Sequence, residues 1–318
     1  MTTTPPSSEP RYSAPIDLVR VRQMFSSAQR VADAEFLRRE VSLRMFERLE
    51  LVKIDPQRLL DAGCGTGGDL AMLKKQYAHA EVLAVDASGA MLLEARSQLE
   101  AALSSVHRLL AKYLPGKSKV KLGAGLDAFL LCSDFAQLPL THNAVDLVWS
   151  NLALHWHPQP DFVFREWRRV LRQDGLLMFS CFGPDTCKEL RDAFATVDAA
   201  PHILPFVDMH DLGDMLVEAG FSTPVMDMEH ITVTYSSVEK LMADVRALGG
   251  NPLSTRRLGL MGKGDWSKIT GYLEQLRQTD GKIPLTFEII YGHAFRPVSR
   301  VISSGESIIR ITPNPNQK

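Results

Sequence analysis

The stretch LLDAGCGTGGDL, residues 59–70, runs from an apolar segment through a glycine cluster into a helix-forming segment. A strand that turns sharply into a helix requires this pattern, because glycine reaches positive φ without steric cost and lets backbone come close to a ligand. The flanking sequence extends the reading. RLLDAGCG (58–65) and EVLAVD (81–86) are apolar runs of strand length, separated by the amphipathic DLAMLKKQYA (69–78). A second helix is predicted from about Ala90 to Leu114, ending at Pro115-Gly116. FLLCSD (129–134), VDLVWSN (145–151) and GLLMFSCFG (175–183) read as three more buried strands, with a helix in DFVFREWRRVLR (161–172) before the last. Buried strands alternating with amphipathic helices predict an α/β fold with a doubly wound, mostly parallel sheet.

Further out, apolar residues recur at helical spacing from Val19 to Leu49. Past Phe182 the pattern predicts helices at Lys188 to Val197, Leu212 to Ala219, Val238 to Leu248 and Trp266 to Gln275, and strands in VMDMEHITVTY (225–235) and LTFEIIYGHAF (285–295). The expected organisation is a disordered N-terminus over 1–15, a helical segment over 16–54 and a ligand-binding core over 55–235. A helical cap insertion follows over 236–284, then a C-terminal stretch completing the sheet over 285–311 and a disordered tail over 312–318.

The chain has 318 residues, 45% hydrophobic and 23% charged, which suits a globular protein with a sizeable core. Its formal charge of −1 supplies no global field for nucleic acid or an anionic membrane, so an anionic partner must be met by a local patch. Cys64, Cys132, Cys181 and Cys187 form no CxxC pair, which predicts free thiols in a reducing compartment, by default the cytoplasm. The sequence shows neither a signal-peptide pattern nor an apolar run long enough to span a membrane.

The glycine pattern admits two nucleotide ligands. Gly63, Gly65 and Gly68 fit the dinucleotide spacing G-x-G-x-x-G, while Asp61 with Gly63, Gly65 and Gly67 fits D-x-G-x-G-x-G. Asp86 can take ribose hydroxyls in either case. Asp61 discriminates: a carboxylate at the strand end is a poor neighbour for pyrophosphate and a good one for the α-amino group of S-adenosylmethionine. Asp134, after the next strand, can accept from an adenine amino group.

These motifs resemble class I S-adenosylmethionine-dependent methyltransferases through DAGCGTG (61–67), AVDAS (84–88), SDFxxLP (133–139) and DLVWSN (146–151). The resemblance implies a seven-stranded Rossmann-like sheet and a cofactor site that also includes Cys64, Ala87, Met91, Phe135, Asn151 and Leu152. The N-terminal helix would lie over the cofactor through Phe25, Gln29 and Arg30, a spacing that fits a packed amphipathic helix equally well. Outside the core the chain is similar to two families. SNLALHW, ELRDAFATVDAAPH (189–202), RALGG (246–250) and PLTFEIIYG (284–292) resemble the malonyl-[acyl-carrier protein] O-methyltransferases of biotin synthesis. FGPDT (182–186), PHILPF (201–206) and HDLGDMLVEAGF (210–221) resemble an arginine hydroxylase that assembles respiratory complex I. The first is favoured, because Arg246 sits in the matching R-x-L-x-G stretch and no targeting segment is seen. A non-catalytic protein that binds the methyl donor is a third reading.

A malonyl carboxylate is already ionised at neutral pH, so it needs a cation to orient it rather than a base. Arg246 is the first candidate, followed by Arg256 and Arg257. His155 and His157 in SNLALHWHPQP (150–160) lack further ligands for a metal site, and His155 is kept as a candidate catalytic residue. The partner implied is an acidic acyl-carrier protein, which needs a basic docking surface. Arg165, Arg168, Arg169 and Arg172 share one face of the 161–172 helix, and the basic GKSKVK (116–121) and STRRLGLMGK (254–263) are rivals. The former lies in a segment, 97–127, longer than either family carries.

Overall fold

The computed structural model describes residues 14–32, 34–113 and 128–298. Three helices come first, α1 (Leu18–Met24), α2 (Ala28–Ala32) and α3 (Glu35–Glu50). Asp17 caps α1 by accepting from the amides of Val19 and Arg20. The expected alternation follows: β1 (Arg58–Ala62), α4 (Leu70–Gln76), β2 (Glu81–Asp86), α5 (Gly89–Tyr113), β3 (Ala128–Cys132), β4 (Val145–Ser150), a single 3-10 turn (Leu154–Trp156), α6 (Pro160–Val170) and β5 (Leu171–Phe182). The chain continues through α7 (Lys188–Ala195), α8 (Met209–Glu218), β6 (Ser222–Tyr235), α9 (Val238–Ala247), α10 (Lys263–Gln275) and β7 (Ile283–Phe295). GKSKVK, most of the 1–15 segment and the 312–318 tail lie outside the described residues. No helix among the described residues is long and apolar enough to cross a membrane.

The seven strands form one sheet in the order β3-β2-β1-β4-β5-β7-β6. The first five are parallel. Leu59, Leu60 and Ala62 of β1 are fully buried because helices cover both faces, which is why a central parallel strand reads as a continuous apolar run. β7 is antiparallel to both neighbours and lies inside the sheet between β5 and β6. Burial explains the order. β7 is nearly all buried on both faces and mostly apolar, whereas β6 alternates half-buried and exposed positions and carries Asp227 and Glu229, so it tolerates the edge.

From β1 the chain winds outward to β3, then restarts at β4 on the other side. The carboxyl ends of β1 and β4 therefore flank a topological switch point, where open α/β sheets hold ligands. Register pairs Asp61 with Ala84 of β2 and Trp149 of β4, and this brings the strand tips bearing Asp61, Asp86 and Asn151 to one edge.

The arginine face of α6 is not the free docking stripe that its spacing predicts. The opposite face buries Val163, Phe164, Trp167 and Val170, and the burial of Phe164 alone contributes about 1.5–3 kcal/mol. The arginines are consumed as fasteners. Arg169 clasps Glu166 at 2.7 Å and donates to the carbonyls of Leu138 and Leu140. Arg168 donates to the Gly220 carbonyl, Arg172 pairs with Asp146 and Arg165 with Asp161. FGPDT is likewise a structural splice: Gly183 and Asp185 donate their amides to the Glu288 carbonyl and carboxylate, and the Thr186 hydroxyl donates to that carbonyl.

Candidate active site

Gly63 has φ +82°, and a Cβ there would lie 2.3 Å from that of Ala153, so only glycine lets the β1 turn pass under the segment after β4. Its amide donates to the Val85 carbonyl at 2.8 Å, which ties the turn to β2. Gly65 donates its amide to Asp86 Oδ2 at 3.0 Å, and Ser88 donates to Asp86 Oδ1 at 2.7 Å.

Three carboxylates converge around this turn. Asp61 is 2% exposed and its Oδ2 has no hydrogen-bond partner. Asp69 accepts from Ser42 Oγ at 2.6 Å, Trp149 Nε1 at 2.8 Å and Asn151 Nδ2 at 3.1 Å. Burial raises the pKa of all three, and of Asp61 strongly, where the charges of Asp69 and Asp86 add to it. A buried acid without a donor, held beside two others, calls for a cation. The same burial, with the charges of Asp61 and Asp86, pushes the Cys64 thiol well up, so Cys64 is no nucleophile at neutral pH.

A cavity of about 70 Å³ opens on the turn. It gathers Gly63, Gly65, Asp86, Ala87, Phe135, Asn151 and Leu152 of the expected set. Asp61 and Cys64 line a smaller hollow that shares Gly63 and Asn151 with it. Gly67 packs against Leu70 and Ala95, and Met91 is buried in a cluster with Phe25 and Trp156. Asp134 does not line the cavity; it closes its own turn by accepting from the Ala136 amide at 2.8 Å.

Arg30 is not brought to the site. α2 is only five residues long, and Arg30 folds back to donate to the Met24 carbonyl at 2.9 Å. Gln29 lines a different pocket, between α2 and α4. The N-terminal segment instead reaches the cavity through Val21, Arg22, Phe25 and Arg38. The Arg38 guanidinium lies 5.7 Å from the Phe25 ring centre, and its carbonyl accepts from Asn151 at 3.1 Å. Sequence reasoning missed Arg38 and Asp69, as well as Val21 and Arg22. Asp69 was in view as the first residue of the α4 segment, but no local signal marks a carboxylate that will meet β4.

The SNLALHWHPQP stretch begins at the tip of β4. Leu152 is left-handed, at φ +49°, a strain of about 1–3 kcal/mol for a side-chain-bearing residue. The amide of Leu152 donates to the Ser180 carbonyl and hydroxyl oxygens, while that hydroxyl donates to Asn151 Oδ1 at 3.0 Å, and these bonds hold the conformation. His155 packs on Trp156, Phe182 and Phe206. Its Nδ1 accepts from the Phe182 amide at 3.4 Å, which assigns the proton to Nε2, a buried donor without a partner. Burial drives its pKa down to about 3, so the ring stays neutral at physiological pH. His157 accepts from the Gln159 amide at 3.1 Å, and among the described residues no acid or thiol joins the two rings in a metal-like set. His155→Gln is therefore expected to leave the shape of the pH–rate profile unchanged; loss of a limb near neutral pH in that profile would show a proton-transfer role.

Trp156 also borders a second chamber of about 550 Å³, beneath α9 and α10. Gly249, at φ +134°, permits this, since a Cβ there would stand 2.5 Å from the Trp156 ring. The chamber collects four arginines. Arg20 donates to the Asn251 carbonyl, Arg256 to that of Leu253, and Arg257 pairs with Asp198 at 2.8 Å and Asp265 at 3.6 Å. The side chain of Arg246 makes no hydrogen bond or ion pair with the described residues, while its carbonyl accepts from the amide of Gly249. The two compartments thus differ in sign: a carboxylate-rich turn on one side of Trp156 and a guanidinium-rich chamber on the other.

A methyltransferase-domain family model matches residues 60–179. The chain is 45% identical over 303 residues to the malonyl-[acyl-carrier protein] O-methyltransferase of Laribacter hongkongensis, covering 94% of this chain and 97% of the relative. It is 45% identical over 297 residues to the protein of the same name from Gallionella capsiferriformans, covering 93% and 96%. Among solved structures, a putative methyltransferase of Bacillus halodurans matches with a TM-score of 0.53 at 16% identity, over 81% of this chain and 99% of that one, a likeness of fold alone.

Proposed function

The chain belongs to the malonyl-[acyl-carrier protein] O-methyltransferase family, and from that premise we propose how its two compartments divide the work of converting the free malonyl carboxylate into its methyl ester. The observation that carries the reading is a buried carboxylate, Asp61, and an arginine side chain, Arg246, both without partners among the described residues: Asp61 lines a hollow that adjoins the glycine-turn cavity at Gly63 and Asn151, and that cavity shares Trp156 with the chamber of Arg246.

S-adenosylmethionine is assigned to the glycine turn, where the cavity and the Asp61-lined hollow adjoin. Asp61 Oδ2 offers its α-ammonium the missing ion partner, Asp86 is placed for ribose hydroxyls, and Phe135 and Leu152 offer apolar walls. Bound there, the cofactor supplies an electrophilic methyl group on a sulfonium. The chain's own task is positioning. Arg246, with Arg256 and Arg257, draws the malonate anion into the chamber, and the guanidinium fork fixes its plane. The carboxylate carries no proton at neutral pH, so no general base is needed, and the neutral, buried His155 is suited to walling or hydrogen bonding instead. Residues 236–284, which contain α9 and α10, act in this reading as a cap that keeps water from the reacting oxygen. Esterification removes the charge that Arg246 holds, which favours release of the product. The biotin pathway and a cytoplasmic setting follow from the same reading.

The test is incubation of the purified protein with methyl-labelled S-adenosylmethionine and malonyl-carrier protein. A base-labile labelled methyl ester on the carrier is expected. Tight cofactor binding without label transfer would overturn the reading in favour of a binding protein.

A further inference from the structure

We infer that the loop from Ser254 to Lys263 is the surface on which the carrier protein docks, an inference that rests on the reaction proposed above. The loop forms one rim of the arginine chamber, and its residues alternate between chamber and solvent. Arg257, Gly259 and Met261 line the chamber, whereas Leu258 and Leu260 are 77% and 97% exposed. Two exposed leucines two residues apart, in a segment with Arg256, Arg257 and Lys263, form the apolar-and-basic surface that marks a protein contact rather than a solvated loop.

Charge specifies the partner. The segment STRRLGLMGK contains no carboxylate. Arg257 is compensated by Asp198 and Asp265, but Arg256, the exposed Lys263 and the neighbouring Arg246 have no acidic partner among the described residues. An acidic protein surface suits this rim, and it must also deliver a substrate that is covalently tethered to it. A tethered malonyl group enters the chamber only if the carrier's body sits at the mouth. The loop is held for that purpose at its base, where Leu253 is buried, Ile16 bridges to it, and Ser254 donates its amide to the Pro15 carbonyl at 2.9 Å. The arginine face of α6 is a weaker rival, because each of its four arginines already has a partner within the chain.

The test compares two substrates: malonyl-carrier protein, and a malonyl thioester of N-acetylcysteamine, which has neither a protein body nor phosphate. The double variant Leu258→Ser/Leu260→Ser and, separately, Lys263→Glu are expected to raise KM for the carrier substrate about tenfold, the scale of one lost interface anchor. Turnover of the small thioester should stay unchanged, and the effect of Lys263→Glu should shrink as salt rises. An unchanged KM for the carrier, or equal losses on both substrates, overturns the docking surface. So does light scattering that finds the native protein self-associated through these leucines and the double variant dissociated. Failure of the native protein on both substrates would instead overturn the proposed reaction itself.

Discussion

Arg246→Ala is expected to lower kcat/KM for malonyl-carrier protein roughly 100-fold, the size of effect that loss of substrate orientation produces. The physical case is the isolation of this side chain. Arg256 and Arg257 spend their donors on the Leu253 carbonyl and on Asp198 and Asp265, so substituting either disturbs the cap as well as the chamber. Arg246 has no such duty and stands exposed at the end of α9. Its loss should therefore leave the melting temperature and the cofactor Kd unchanged while substrate use collapses. Arg246→Lys should recover only part of the activity, because an ammonium supplies charge without the planar fork. Steady-state kinetics alongside calorimetric cofactor titration make the measurement. Full activity in Arg246→Ala would remove this residue from the substrate site, and a parallel loss of cofactor affinity would move it to the other compartment.

Asp61→Asn should act in opposite directions on stability and binding. The folded-state pKa of Asp61 is raised, so its favourable contribution is fully present only below its ordinary value of 3.8 and is lost as pH rises through the elevated one. At neutral pH the ligand-free protein carries the cost of burying this acid with no donor on Oδ2. The amide has no charge to bury and no proton to take up, and the ligand-free protein should melt a few degrees higher at pH 7. Cofactor affinity should fall roughly 10- to 100-fold with the loss of a charge-assisted bond to the ammonium, and the cofactor-induced rise in melting temperature should shrink accordingly. In the native protein, affinity should weaken on acidification at a pH above the ordinary aspartate range, a trend absent from Asp61→Asn. A variant that is destabilised yet binds normally would show Asp61 to be a structural acid.

Glu81 to Asp86 was legible as β2 from its apolar run alone, and the strands and helices around it followed from equally local patterns. The motif from Asp61 to Gly67 was legible too, since glycines at a strand-to-helix turn and an acid at the strand tip are fixed by chain geometry within a few residues. What was not legible depends on partners far away in sequence. Spacing put Arg165, Arg168, Arg169 and Arg172 on one helix face, yet whether that face is free depends on the carbonyls of Leu138, Leu140 and Gly220, which only packing brings near. Arg30 and Arg38 are indistinguishable by composition. The break between α1 and α2 turns one toward Met24, and the packing of α3 puts the other beside Phe25 and Gly65.

By itself, then, the sequence determined the order of elements and the glycine turn with its carboxylate at the strand tip, because periodicity and turn chemistry are local properties. Only the tertiary structure decided which charges remain unspent. Burial and pairing depend on the whole surroundings of a side chain, and among the described residues they left Asp61 without a donor beside the glycine-turn cavity and Arg246 without a partner in the chamber on the other side of Trp156.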